Sequence, residues 1–368
     1  MHPYKSLDST AYWATAVAKK GMASSLDLWS PKWSITRESR VSTFGSCFAQ
    51  HFGRALCKQQ FNWVPFEPAP PFLSATSGAK FNYDVFSVRT GNIYTTSMLL
   101  QWVRWALDDE PVPEEIWRHG DRHCDPFRPA IEPDGFASAA EVIASRELAI
   151  DAFGNAMAQS NVLVFTLGLT ECWVNAQLGY EYPICPGTIA GDFNDAQHQF
   201  LNHDYMSVRA SLSEALQRIW AINPGLQVLL TVSPVPLTAT MSGRHVLVAT
   251  TESKSILRAV AGSLAREHQL VDYFPSYEII SSPVFRGAYF EPNLRSVKPE
   301  GVENVMACFF GNLNAKFAVD VESPPSGQMA DSIGRAPSAS DAERDPALED
   351  DVACEEALLE AFAPRGED

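Results

Sequence analysis

Ser46 and Cys47 stand side by side where an apolar run meets a helical pattern, in the stretch VSTFGSCFAQHFGRAL. The run predicts a buried strand ending at Phe44, Gly45 permits a sharp turn, and a helix is expected to begin at Ser46 or Cys47. A hydroxyl or thiol there faces the free N–H groups and the dipole of a helix N-terminus, which stabilise negative charge. Either side chain is therefore a candidate nucleophile, and the sequence does not choose between them. The structural alternative is that Ser46 only caps the helix and Cys47 is a small buried residue.

The elements that must position these side chains alternate along the chain. Besides the run at Val41, strands are predicted in FNWVPF near Phe61, NVLVFTLG at Asn161, QVLLTVSP at Gln227 and LVDYFPS at Leu270. Helices are predicted in FAQHFGRALCKQQ, over residues 139–158 and 205–221, and in SKSILRAVAGSLAREHQ. This alternation predicts a doubly wound, three-layer α/β fold with a parallel sheet. The carboxyl ends of its strands share one edge, where ligands usually bind.

Two long insertions interrupt the alternation within one predicted domain over residues 1–317. Residues 65–134 are rich in proline and aromatic residues and include the helical piece TTSMLLQWVRWAL. Residues 171–204 are expected to be a loop, because they contain Pro183, Pro186 and Gly187. Inserted segments of this length are typical of lids or binding loops, so we expect them to cap the site. The alternative is irregular packing over the core.

The composition changes after about residue 317. Residues 320–368 contain fourteen Asp or Glu and three Lys or Arg, which accounts for −11 of the formal net charge of −16. This Pro/Ser-rich, acidic composition predicts a disordered tail over residues 318–368. Within it, Val352, Leu359 and Phe362 have near-helical spacing and predict a short helix over residues 351–362. That helix is a candidate for docking on a protein partner or on its own domain, and the alternative is a fraying helix.

Composition also excludes several classes of function. An acidic surface repels phosphate backbones, so no nucleic-acid partner is expected. The seven cysteines have scattered spacings without a C-x-x-C pair, which predicts a reducing compartment without disulfides or structural zinc. The N-terminus lacks a signal-peptide core and no run of eighteen apolar residues exists, so a cytoplasmic protein with no membrane span is expected. No phosphate-binding, dinucleotide or metal motif is found, so we expect no cofactor and no metal.

The motif around Ser46 resembles the signature of the GSCFA family of bacterial proteins, and the likeness covers roughly residues 1–315. It is carried by GSCFAQHF, GNIYTT at Gly91, DPFRP at Asp125, FTLGLTECW at Phe165, YPICPGT at Tyr182, LTVSPVPLTAT at Leu230, HVLVATTESKSILRAV at His245 and YFPSYEII at Tyr273. The family looks like a branch of the SGNH (GDSL-type) hydrolases. This resemblance implies a flavodoxin-like α/β fold and the hydrolysis or transfer of acyl esters, often on carbohydrates.

The resemblance implies roles for individual residues. Gly45–Ser46–Cys47 matches the G-D-S block and puts Cys47 at the nucleophile position, whereas a shift of one residue puts Ser46 there. Gly91 matches the glycine of the second block, an oxyanion donor, with Asn92 as a side-chain alternative. Gly168–Leu169–Thr170–Glu171 matches the G-x-N-D block. Thr170 replaces the asparagine as the expected oxyanion donor, and Glu171 replaces the aspartate.

The departure from the family pattern is largest at the base. Where the pattern has D-x-x-H, this sequence has Asn293–Leu294–Arg295–Ser296, so the usual acid and base are missing. His245, in the loop after the QVLLTVSP strand, is the predicted substitute, because that loop leaves the strand edge where Ser46 and Cys47 lie. The alternatives are a structural role for His245, or a base at His51, His203 or Glu171.

Four more residues are candidates for substrate binding. Arg128 and Lys254 carry charges that suit a substrate carboxylate or phosphate. Trp173 and Tyr94 lie beside the predicted site loops and suit stacking on sugar rings. The structural alternatives are ion pairs for the first two and core packing for the others.

Two functions are compatible with these features. The first is an acyl esterase or acyltransferase acting on an acylated carbohydrate or small molecule. The second is a catalytically degenerate pocket that binds a glycan or metabolite while the acidic tail recruits a protein partner. The missing D-x-x-H favours the second, and the retained G-S-C stretch and the long insertions favour the first.

Overall fold

The structure is a computed structural model that describes residues 2–21, 27–108, 110–319 and 354–364. These residues form two compact units. The larger comprises the described residues of Arg37–Tyr273 and Ala353–Asp368, and the smaller those of Met1–Thr36 and Phe274–Val352. The single domain expected over residues 1–317 stays a prediction.

The larger unit is built on a parallel sheet of four strands. They are β1 (Val41–Gly45), β4 (Val162–Leu167), β8 (Gln227–Val232) and β9 (Val271–Tyr273), in the order β1-β4-β8-β9. All positions of β1, β4 and β9 are buried, as expected of parallel strands that are covered on both faces. The prediction of an α/β fold with a parallel sheet is confirmed.

One predicted strand is absent from the described chain. FNWVPF near Phe61 forms only an isolated bridge between Trp63 and Val41, in which the Val41 N–H donates to Asn62 O (2.9 Å) and the Val64 N–H to Val41 O (3.0 Å). A continued ladder would use the Phe66 N–H and the Thr43 N–H, but these donate to Ser87 O (2.7 Å) and Ser87 Oγ (2.9 Å) instead.

The predicted helices form with small shifts at their ends. They are α1 (Phe48–Lys58), α4 (Ala139–Gln159), α5 (Tyr205–Ile222) and α6 (Val246–Glu267). Helix α1 packs on β1 and β4, and α6 packs on β8 and β9. Helix α6 begins seven residues before the predicted SKSIL start, because the His245 side chain caps it at that point.

The insertions contain more regular structure than predicted. The first holds α2 (Ala75–Lys80), α3 (Thr96–Leu107) and a hairpin of β2 (Trp117–His119) and β3 (Arg122–Cys124). The second is not a loop, because β5 (Glu171–Asn175), β6 (Glu181–Tyr182) and β7 (His198–Asn202) form an antiparallel sheet in the order β6-β5-β7. Pro183, Pro186 and Gly187, which suggested a loop, all lie in the connection between β6 and β7.

The smaller unit contains α7 (Ser276–Ser281) and α8 (Pro299–Phe317). Trp29 stacks on Phe309 of α8, with ring centroids 5.4 Å apart. The segment that replaces D-x-x-H lies in this unit as a turn, in which Asn293 Oδ1 accepts from the N–H groups of Arg295 and Ser296, each at 2.9 Å. No described helix is long and apolar enough to cross a bilayer.

Most of the predicted tail lies outside the described residues, since these omit 320–353 and 365–368. The described part includes a 3-10 helix at Glu355–Phe362, where a short helix was predicted over residues 351–362. This C-terminal segment, residues 354–364, is counted with the larger unit.

Candidate active site

Gly45 makes the turn from β1 into α1. Its φ is +123°, and a Cβ added at Gly45 would lie 2.2 Å from Thr166 O of the neighbouring strand. Glycine is therefore required both by the conformation and by the close approach of the two backbones. The next amide, Ser46 N–H, donates to the same carbonyl (3.0 Å), and Ser233 N–H donates to Leu167 O (2.9 Å). The residues that follow β1, β4 and β8 thus meet at one edge of the sheet.

Both candidate nucleophiles lie at this edge and are buried. Ser46 is 3% exposed, and in the described chain its Oγ has no hydrogen-bond partner. Cys47, which is 7% exposed, directly precedes the first turn of α1. Its thiol hydrogen-bonds the sulfur of Cys354, and this bond lowers the pKa of Cys354 to about 7, against the effect of burial.

The segment of Gly91, Asn92 and Tyr94 crosses the same edge. Ile93 N–H donates to Gly45 O (2.8 Å), and Tyr94 O accepts from Gly168 N–H (3.1 Å). The Asn92 side-chain amide and the Tyr94 hydroxyl both donate to Oε2 of Glu355, the latter at 2.8 Å. The structure therefore brings three predicted site residues, Gly91, Asn92 and Tyr94, around one carboxylate.

Tyr94 contributes its hydroxyl to this arrangement while its ring is buried. The ring belongs to a core cluster with Leu169, Leu237 and Ala249. Burial, followed by the nearby Glu355, raises the pKa of Tyr94 well above its usual value, so the hydroxyl stays protonated and acts as a donor. In this conformation the ring is a wall of the site and is not open for stacking on a sugar.

Sequence reasoning missed the residues that occupy the site, which are Cys354, Glu355 and Glu356. Glu356 Oε1 accepts from Thr238 N–H (2.8 Å), and both glutamates are buried. The predicted docking face was apolar and comprised Val352, Leu359 and Phe362. Val352 lies outside the described residues, Leu359 is half-buried and Phe362 is 67% exposed. The short helix docks through polar hydrogen bonds, for which hydrophobic spacing gives no signal.

His245 begins α6 beside this site. Its Nδ1 accepts from Leu247 N–H (3.2 Å), so the ring caps the helix and is exposed. Ala249, in the first turn of α6, packs against Tyr94 and Leu237. His245 therefore begins a helix whose first turn forms part of the site wall, and its role as a base stays a prediction.

His51, the nearer histidine in sequence, lies on α1 and packs edge-on against Phe48 (centroids 5.4 Å apart). Burial, together with the Arg54 charge, lowers the pKa of His51 to about 4. The ring is therefore neutral at pH 7, but a pKa this far below the operating pH makes it a weak general base.

The remaining predicted site residues each have partners. Thr170 Oγ1 donates to Asn202 Oδ1 (2.7 Å), and Lys254 Nζ donates to Gly168 O (2.8 Å). Glu171 accepts a hydrogen bond from Thr240 Oγ1 (2.6 Å). The ring of Trp173 packs against those of Phe193 and Phe200, with centroids 5.3 and 5.8 Å away. Burial raises the pKa of Glu171.

Arg128 belongs to a buried ion cluster. Its Nε donates to Asp125 Oδ2 (2.8 Å), and Arg146 Nη2 lies 3.0 Å from Asp125 Oδ1. Arg128 also donates to the Arg89 carbonyl (3.2 Å). Burial raises the pKa of Asp125, but the two guanidinium groups more than offset it, so the pKa lies below its usual value. In this structure the charge of Arg128 is matched by Asp125.

Substituting Asp125→Asn should lower the free energy of unfolding by about 3 kcal/mol, because two guanidinium groups stay buried without their counter-charge. The pKa of Asp125 is lower in the folded chain than its unfolded value of 3.8. The carboxylate therefore stabilises the fold above pH 3.8, and this stabilisation is lost as the pH falls through the folded pKa. Urea unfolding at pH 7 measures the loss. Asp134→Asn, at an exposed position, is the matched control, and an equal effect of both substitutions would contradict the assignment.

A second cluster of reactive groups lies between the antiparallel sheet and α3. Cys172 Sγ is 3.3 Å from His203 Nε2, which is 3.8 Å from Glu181 Oε2 and 3.0 Å from Ser97 Oγ. Among the described residues, Cys172, Glu181 and His203 are the group whose ligand atoms are close enough to hold a metal ion. Burial, followed by the Glu181 charge, raises the pKa of Cys172 well above its usual value. These residues are far apart in sequence, so their spacing gave no metal motif.

Comparison with known proteins gives one finding. The GSCFA family model matches residues 40–309, about three quarters of the chain. No curated protein and no solved structure matches this chain.

Proposed function

Because the chain belongs to the GSCFA family, we propose that it is an acyl esterase or acyltransferase whose nucleophile is the Cys47 thiol. Its substrate is an acylated carbohydrate or small metabolite. The parallel sheet is then the core of a three-layer, flavodoxin-like fold of the SGNH type. The class of reaction rests on the family resemblance. The roles of Cys47, Asn92 and Tyr94 are supported by their contacts, and the role of His245 by its place in the sequence.

One observation carries the proposal. Asn92 and Tyr94 direct two buried donors at a single carboxylate oxygen, and the sulfur of Cys354, next to that carboxylate in the chain, hydrogen-bonds the Cys47 thiol. Two preorganised donors in a buried site are the arrangement that stabilises the oxyanion of acyl transfer. A thiol at the start of a helix is favoured as a thiolate nucleophile once it no longer donates to another sulfur, as Cys47 does to Cys354 here.

The proposed reaction has two stages. The Cys47 sulfur forms a bond to the acyl carbon, and the carbonyl oxygen takes up negative charge opposite Asn92 and Tyr94. The C–O bond to the leaving alcohol then breaks, and the thiol proton passes by way of His245 to that alcohol. Water or an acceptor hydroxyl next attacks the thioester carbon, the C–S bond breaks, and the proton of the attacking group passes to the leaving sulfur. This step releases the acid or the new ester and restores the thiol.

Turnover of p-nitrophenyl acetate tests the class of reaction. We expect release of nitrophenol together with an acetyl adduct on tryptic peptide 41–54, which contains both Ser46 and Cys47. Acid quenching followed by mass spectrometry detects the adduct. Release of nitrophenol without any adduct on this peptide, or no release at all, would contradict the proposed mechanism.

Substituting His245→Asn should lower kcat/KM by about a hundredfold, the usual scale for loss of a general base. The asparagine oxygen still caps α6, so the melting temperature should hold. His245→Ala removes both functions and should also cost about 1 kcal/mol of stability. If His245→Asn keeps the full rate, His245 is a cap and the base lies elsewhere.

A second candidate function is a binding protein that has lost catalysis. Two observations favour it: a turn at Asn293–Ser296 replaces the D-x-x-H block, and Glu355 fills the site. Calorimetric titration with acetylated sugars would then show binding without turnover. In either case we propose a cytoplasmic location, because the seven cysteines have scattered spacings without a C-x-x-C pair.

A further inference from the structure

The C-terminal segment places a carboxylate in the candidate active site. Glu355 lies more than 250 residues along the chain from its partners, and its Oε2 accepts from the Asn92 amide and the Tyr94 hydroxyl. A Cβ added at Gly91 would lie 3.2 Å from Glu355 Oε1, so the glycine leaves room for the second oxygen. The three residues Gly91, Asn92 and Tyr94 are called the carboxylate cradle below.

Burial of Glu355 carries a cost that its contacts must offset. Taking a carboxylate out of water is unfavourable unless donors replace the lost water. Burial accordingly raises the pKa of Glu355, and the hydrogen bonds from Asn92 and Tyr94 partly oppose the rise. Asn92 is itself held in place, since its Oδ1 accepts from Gln50 Nε2 (3.3 Å). The cradle is thus a built site whose donors are fixed by other parts of the fold.

The two neighbours of Glu355 fix the segment over the nucleophile. The sulfur of Cys354 hydrogen-bonds the Cys47 thiol, and Glu356 accepts from Thr238 N–H in the loop that follows β8. With these contacts the segment covers Cys47, which is buried. An incoming acyl group needs the same space, so the segment and a substrate exclude each other.

We propose that the carboxylate cradle is the subsite for the acid that the enzyme releases, and that Glu355 is a tethered analogue of this product that blocks the site. The identity of the ligand as a released acid rests on the proposed function, whereas the carboxylate site itself rests on the contacts of Glu355. The ligand class is a carboxylic acid with a slender chain, because Glu355 presents two methylene groups behind its carboxylate.

The donors of the cradle favour this class over phosphate. An amide and a hydroxyl are neutral groups, and together they direct two hydrogen bonds at one oxygen. Phosphate sites use guanidinium or ammonium groups that balance a higher charge. Two neutral donors directed at one point can hydrogen-bond a single oxygen atom. That atom is the carbonyl oxygen of an ester, the oxyanion formed from it, or an oxygen of the product acid.

The experiment measures the alkylation of Cys47 by iodoacetamide, which does not depend on turnover. Trypsin places Cys47 in peptide 41–54 and the exposed Cys57 in peptide 55–58, so Cys57 is an internal reference in the same digest. In the full chain, Glu355→Ala should raise the rate at Cys47 by at least about tenfold relative to Cys57, because the charged hydrogen bonds that seat the segment are lost. Glu360→Ala, at an exposed position of the same short helix, should change the rate less than about twofold.

Acetate supplies the atoms that Glu355→Ala removes and therefore tests the ligand class. Acetate should slow alkylation of Cys47 in this variant with saturation, while acetamide and chloride at equal concentration should not. An unchanged alkylation rate in Glu355→Ala would overturn the blocking role, and equal effects of acetate and chloride would overturn the carboxylate subsite. If the alkylation results are as expected but no variant hydrolyses p-nitrophenyl acetate, the carboxylate site stands and the proposed esterase function fails.

Discussion

Substituting Cys47→Ala should reduce kcat/KM for p-nitrophenyl acetate by about a thousandfold or more, the scale observed when an enzyme loses its nucleophile. The physical reason is that Cys47 lies at the start of α1 and also contacts the segment that the cradle holds. Cys47 hydrogen-bonds Cys354, whose neighbour Glu355 is held by Asn92 and Tyr94. Initial rates with the purified full chain measure the effect, and the acetyl adduct on peptide 41–54 should disappear with it.

Ser46→Ala is the matched control. The Ser46 hydroxyl is buried without a partner in the described chain, and a group in that state costs about 1–3 kcal/mol. Its removal should therefore leave the free energy of unfolding unchanged or raise it, and kcat/KM should fall less than about tenfold. The reverse outcome, activity retained in Cys47→Ala and abolished in Ser46→Ala, would make Ser46 the nucleophile and the helix-start thiol a packing residue.

Substituting Gly45→Ala should lower the free energy of unfolding by about 4 kcal/mol or more, at the far end of single substitutions. The new methyl group would lie 2.2 Å from Thr166 O and 2.6 Å from Thr166 N, both backbone atoms of β4 that cannot rotate away. The φ of +123° is also one that alanine rarely adopts. The strain separates β1 from β4 at the point where Ser46 and Cys47 are positioned. Urea unfolding followed by circular dichroism measures the loss.

Gly179→Ala separates the two causes of this effect. Gly179 also has a positive φ, +76°, but a Cβ there meets no atom within 4 Å. This substitution should cost only the backbone strain, about 1–2 kcal/mol. If Gly45→Ala costs no more than Gly179→Ala, the contact with Thr166 is not the reason for the glycine, and the turn after β1 tolerates more movement than the structure indicates.

The parts of the fold that sequence reasoning reached are those with strong local signals. The four sheet strands are short, mostly apolar runs. Ser138 and Asp204 cap α4 and α5, since their side chains accept from backbone N–H groups in the first turn. The antiparallel sheet was not predicted, because its strands pair residues that are far apart in the sequence. Strand β5 pairs Glu171 with Asn202, and no local pattern shows that partners so far apart will meet.

Family motifs predicted several residues that lie together at the candidate site, for a related reason. Cys47, Gly91 and Asn92 sit in motifs at the start of α1 and in the segment that crosses the strand edge, so the resemblance could name them without any geometry. Their common partner Glu355 belongs to a stretch of acidic composition that predicts disorder. Its burial depends on two donors from a distant part of the chain, and composition does not record where a donor will lie.

The amino-acid sequence by itself determined the parallel α/β core, the sharp turn at Gly45 and the candidate nucleophiles that follow it, because each depends on neighbouring residues and on hydrophobic burial. Only the tertiary structure decided which groups surround Cys47. Hydrogen bonds are directional and short-ranged, so the pairing of Glu355 with Asn92 and Tyr94 exists only once the sheet edge is assembled. The same holds for Arg128, whose charge suggested a ligand site until folding placed it on Asp125.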